Sequence, residues 1–160
     1  MKHWKSLVAA TISAFLEQRG FRKSGFKFTA IRPDATLLVG LQSSVTGTEA
    51  LLKITCNLAI VLQGLEIPGG PSIWDAHWRQ RIGHYMPEQR DYWWACSTDE
   101  EAKAAGRDIA GLLESSALPE MERLASPAAM IALWKSGRSP GLTEYQCVKY
   151  LTNLTQTGGP

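Results

Sequence analysis

The stretch FKFTAIRPDATLLVGLQSSVTGTEALLKITCNLAIVLQG, residues 26–64, decides the fold. Phe26 and Phe28 open an alternating run, FKFTAIR, and Pro33 with Asp34 turns the chain back into a second run, ATLLVGLQSS. VTGTE then leads into ALLKITCNLAIVLQG, where Leu52, Ile54, Cys56, Leu58 and Ile60 share one face and Lys53, Thr55 and Asn57 the other. Two-residue periodicity in three successive runs predicts three antiparallel strands. Their apolar faces need a covering layer.

The cover is written on either side. Trp4, Leu7, Val8, Thr11, Ile12, Phe15 and Leu16 recur at three- and four-residue intervals, which predicts an amphipathic helix closed by Gly20. After residue 96 the chain turns helical again. Ser97 with Glu100 forms a capping-box pattern, and Ala105, Ile109, Leu112 and Leu113 line one face of a helix reaching Ser116. Pro119 with Glu120 starts a further short helix, Ser126-Pro127 caps another that stops at Gly137, and Thr143 with Gln146 caps a fourth. The expected fold is α+β: a twisted antiparallel sheet of four to five strands, with the first helix and the 97–116 helix on one face and a helical C-terminal third. Residues 1–157 read as a single domain and 158–160 as a frayed tail.

Composition excludes several classes. Seventeen basic and fifteen acidic side chains leave a formal charge of +2, far from the balance of a dedicated nucleic-acid binder. The charge is uneven: residues 1–32 are basic and 98–122 acidic, which can draw the first helix and the 97–116 helix together. Cys56, Cys96 and Cys147 are widely spaced and odd in number, so neither a disulfide framework nor a zinc knuckle follows and a reducing, cytoplasmic setting fits. The opening MKHWKSLVAATISAFLEQRG alternates as a helix and runs into charge, unlike a secretory leader, and no segment approaches the ~20 apolar residues needed to span a bilayer.

Between sheet and helices lies the densest aromatic block, IWDAHWRQRIGHYMPEQRDYWW at 73–94, with four of the six tryptophans. Residues 73–85 read as a short helix or an irregular ledge, and Tyr92–Cys96 as a short strand. Adjacent strand residues face opposite sides, so Trp93 and Trp94 cannot share one core. One of them, with Arg79, Arg81 and Tyr92, forms a candidate protein-contact surface, since tryptophan, tyrosine and arginine dominate binding hot spots. An Asp91 ion pair with Arg81 or Arg90 would fix it. The alternative is a cleft for a small nucleotide-like ligand, built from Gln42, Asn57, Arg81 and Asp91 and requiring those four to converge. No catalytic residue is assigned, because no nucleophile motif occurs and no cysteine carries the signature of an activated thiol. No metal or cofactor is assigned either: His77 and His84 are seven apart, and no second ligand cluster accompanies them. A third reading, single-stranded nucleic acid, rests on Arg22, Lys23 and Lys27 flanking Phe21, Phe26 and Phe28. It competes with the core for the same rings.

LEQRGFRKSGFKF at 16–28, LQSS at 41–44, ITCNLAI at 54–60, WRQRIG at 78–83 and DYWW at 91–94 resemble domain-of-unknown-function family 4304, small and mainly bacterial proteins. The resemblance spans residues 5–125. It implies a small α+β domain with no assigned activity and no catalytic residue to carry over. Some relatives resemble proteins found near contact-dependent toxins, which suggests an immunity role by association. The leading expectation is a non-enzymatic protein-binding domain whose partner is another protein, such as a toxin domain. The oligomeric state is not legible.

Overall fold

The computed structural model describes residues 2–65, 67 and 69–157, so the 158–160 tail lies outside the described residues. Helix α1 (Lys2–Glu17) buries Val8, Ala9, Ile12 and Leu16 on the expected stripe, with Trp4, Leu7 and Phe15 along its margins. The sheet follows as β1 (Arg22–Ser24), β2 (Lys27–Ile31), β3 (Ala35–Ser43) and β4 (Leu52–Leu62). These form an antiparallel ladder in chain order. Phe28, Leu37, Val39, Ile54, Cys56, Leu58 and Ile60 turn into the main core, as their two-residue spacing predicts.

Strand β4 is longer than its neighbours and carries two short partners on one edge. Strand β5 (Trp78–Arg81) pairs with Ile60 to Asn57, and β6 (Trp94–Cys96) with Ile54 to Leu52. A 3-10 turn (Ile82–Tyr85) and the loop beyond it bulge away from the edge between them. The sheet thus has six strands, and residues 73–85 are not one element: 73–77 are irregular, 78–81 form a strand and 82–85 a 3-10 turn. WRQR alternates, sending Trp78 into the core while Arg79 and Arg81 face the other side opposite Ala59 and Asn57.

Helix α2 (Asp99–Leu112) lies beside α1 on the core face of the sheet. Its N-cap is Thr98, whose hydroxyl accepts from the Glu101 N–H at 3.1 Å, while the Glu101 carboxylate accepts from the Ser97 N–H at 2.6 Å. The predicted box is therefore displaced by one residue. The two helices touch closely at Gly106, where an added Cβ would stand 2.6 Å from the Thr11 Cβ. Gly106→Ala should cost about 1–2 kcal/mol in urea unfolding, because overpacking of a rigid contact outweighs alanine's roughly 1 kcal/mol propensity advantage. A variant as stable as the parent would show that the helices do not meet there. The basic and acidic segments also meet, through His3 with Asp99 at 2.9 Å, Arg32 with Glu122 at 2.7 Å and Arg19 with Glu114 at 3.5 Å. The Asp99 carboxylate additionally accepts from the Trp4 indole at 3.0 Å.

Beyond α2 the path stays helical through a π-turn (Leu113–Ala117) into α3 (Leu118–Leu124). Pro119 therefore does not start a separate helix. Its ring and missing N–H oppose an ordinary turn against the Ser115 carbonyl, and the wider π-turn just before it relieves the conflict. Helix α4 (Pro127–Lys135) is capped by Ser126, and α5 (Glu144–Thr157) by the Thr143–Gln146 exchange, as the sequence predicts. Both close the end of the sheet at His77: Trp134 donates to the His77 carbonyl at 3.4 Å, and Tyr150 stands edge-on to its imidazole.

Candidate functional site

The second face of the sheet divides into two halves. Leu38, Ala59 and Val61 pack under Ala76, Ile67 and Ile73 from the segment between β4 and β5. Ile73 rests on Gly40, where any Cβ would collide with its side chain. The other half carries Gln42, Thr55, Asn57, Arg81 and Trp93, of which Thr55 and Asn57 are buried and Gln42, Arg81 and Trp93 are partly exposed.

Register assembles that half. Asn57 lies opposite Gly40 on one side and Arg81 on the other. The Asn57 amide donates to Gln42 Oε1 at 2.8 Å, which leaves its own side-chain oxygen as an acceptor. Arg81 donates from Nη1 to Asp91 at 3.1 Å, and its guanidinium lies 5.2 Å from the centre of the Trp93 ring. The Trp93 indole N–H donates to the same Asp91 carboxylate at 3.1 Å. One acid thus orients both a cation and an aromatic ring. Beside them, Asn57, Ile73, Trp74, Arg79, Arg81 and Gly141 line an open cleft of about 290 Å³.

The four residues of the expected ligand cleft, Gln42, Asn57, Arg81 and Asp91, therefore stand together on one face. The expected protein-contact set is divided. Trp94 turns inward, 6% exposed, and donates to Asp108 of α2 at 3.2 Å. Tyr92 stands edge-on to Trp94, and its carbonyl accepts from the Thr55 hydroxyl. Arg79 is clamped by the Trp74 and Gly141 carbonyls. Arg81 and Trp93 remain as a displayed pair. Arg90 pairs with Glu88, so Asp91 belongs to Arg81.

Trp74 and Gly141 belong to neither expected set, although each shapes the cleft. The signal for Trp74 was its place directly after the Pro/Gly-rich stretch, and it is 57% exposed. Gly141 enters from the α4–α5 connection, which carries no local signature. Burial pushes the Cys56 thiol up to about 12 and raises those of Cys96 and Cys147, so none is an activated thiolate. Among the described residues no three His, Cys, Asp or Glu side chains are grouped to hold a metal, and no helix is long and apolar enough to cross a membrane.

A family model described as "Domain of unknown function (DUF4304)" matches residues 12–123. No curated protein and no solved structure matches the chain. The match takes in the sheet, α2 and the Arg81–Asp91–Trp93 unit, and stops before α4 and α5.

Proposed function

The chain belongs to the DUF4304 family, and from that premise, which brings no activity with it, we propose that it is a non-enzymatic protein-binding domain. Its contact surface is the part of the sheet around Arg81 and Trp93. The observation that carries this reading is the Arg81–Trp93 pair, partly exposed and held in place by Asp91. Preorganised arginine and tryptophan side chains on a rigid strand bind without a large ordering cost. A catalytic role has less support. Gln42 and Asn57 do not titrate, and Asp91 is already engaged by both Arg81 and Trp93. A toxin domain is one partner of the right class, and a toxin-like gene immediately upstream would favour it.

The test is a photo-crosslinking residue at position 93, compared with one at Ser115 on the exposed side of the π-turn. A stoichiometric protein captured only at position 93 is the expected result. Arg81→Ala should then weaken that purified complex by about 2 kcal/mol or more. Equal capture at both positions, or an affinity indifferent to Arg81, would remove the proposal.

A further inference from the structure

Arg79 is a cation without an anion. Its Nη1 donates to the Trp74 carbonyl at 2.7 Å and its Nη2 to that of Gly141, while its Nε is buried with no acceptor. Among the described residues no carboxylate pairs with it, and Asp75, next to Trp74, is exposed and makes no ion pair with it. Two backbone carbonyls fix the guanidinium at the wall of the cleft but bring no neutralising charge. A half-buried cation in that position favours an anion from outside.

The rest of the lining agrees. Arg81 follows two residues later on the same strand face, roughly 7 Å away, a separation an anionic group can bridge. Among the described residues no carboxylate lines the cleft. Trp74 offers an exposed indole, and Asn57 offers an acceptor set by Gln42. At about 290 Å³ the space lies at the lower end of small-molecule sites. It suits a ligand of mononucleotide size rather than a dinucleotide.

We propose that this cleft binds a small flat molecule carrying a phosphate or carboxylate, about the size of a nucleoside monophosphate, with its anion at Arg79 and Arg81 and its ring on Trp74. This site adjoins the protein contact proposed above and shares Arg81 with it, whereas Trp74 and Arg79 belong to the cleft alone. Part of the cleft wall, Gly141, falls outside the segment matched by the family model.

The test is calorimetric titration of the full chain with AMP, adenosine, inorganic phosphate and benzoate at low salt. AMP or benzoate should bind with Kd below about 1 mM, and adenosine and inorganic phosphate at least about ten-fold more weakly. AMP alone would identify a phosphate ligand, and benzoate alone a carboxylate. Asn57→Asp adds a negative charge to the cleft at constant size and should weaken binding by about ten-fold or more. Trp74→Ala, at an exposed position, should abolish the advantage of the ring-bearing anion over inorganic phosphate while leaving any protein complex intact. Absence of saturable binding by both AMP and benzoate, or binding unchanged by both substitutions, would overturn the proposal.

Discussion

Trp78→Ala should lower stability by about 3–5 kcal/mol, the range for deleting a buried aromatic ring. Trp78 heads the fully buried side chains by volume at 0% exposure, and it sits on β5 opposite Ile60 of β4. A loss of that size is a large share of the roughly 5–15 kcal/mol that holds a typical domain together. The indole nitrogen, however, is buried without an acceptor. Its N–H carries an unrecovered desolvation cost of about 1–3 kcal/mol. Trp78→Phe removes that group while keeping most of the ring, so it should cost no more than about 1.5 kcal/mol. Denaturant unfolding of both variants separates the two contributions. If phenylalanine is as damaging as alanine, the indole N–H has a partner. If alanine costs less than about 1 kcal/mol, the ring is not packed in the core.

The contrast between β4 and β5 explains how far the fold could be read from local pattern. Strand β4 is eleven residues long, and its apolar positions alternate too regularly for a helix to compete. Strand β5 has four residues, and the four-residue spacing of Trp74 and Trp78 imitates a helix turn, so only pairing with β4 decides the matter. Caps divide in the same way. Ser126 and Thr143 each have one suitable partner three residues on, whereas Ser97 and Thr98 both qualify, and the choice falls to the one whose hydroxyl reaches the Glu101 N–H. At the site, alternation requires Trp93 and Trp94 to part. Which of them turns inward depends on Asp108, fourteen residues away on α2. Convergence of Gln42 and Asn57 follows from strand faces visible in the sequence, but Trp74 and Gly141 arrive from loops. Their positions are set by the Arg79 clamp, a tertiary contact with no local trace.

His77 ties stability to pH. The imidazole is 1% exposed, and its Nδ1 accepts from the Leu62 N–H at 2.9 Å, at the end of β4. Burial lowers its pKa from 6.5 to about 4. Protonating Nδ1 would also set a donor against a donor. The depressed value means that the unfolded chain binds the proton first. The native state is therefore favoured in full above pH 6.5, and the stabilisation drains away as pH falls toward 4. At about 1.4 kcal/mol per unit of pH, the loss across that window should be about 3 kcal/mol. The lowered carboxylates, Asp99, held down by the His3 and Trp4 hydrogen bonds, and Glu101, held down by the Ser97 backbone N–H, begin from 3.8 and 4.5, so their stabilisation drains mainly below the range where His77 titrates, and the small part lost near pH 4.5 is common to both chains. Urea unfolding at pH 7, 6, 5 and 4.5 should show a falling midpoint in the native chain. In His77→Asn the side-chain oxygen can still accept from Leu62 but cannot titrate, and the midpoint should stay nearly level over the same range. A native chain equally stable at pH 7 and 4.5 would mean that His77 is not sealed between β4, α4 and α5.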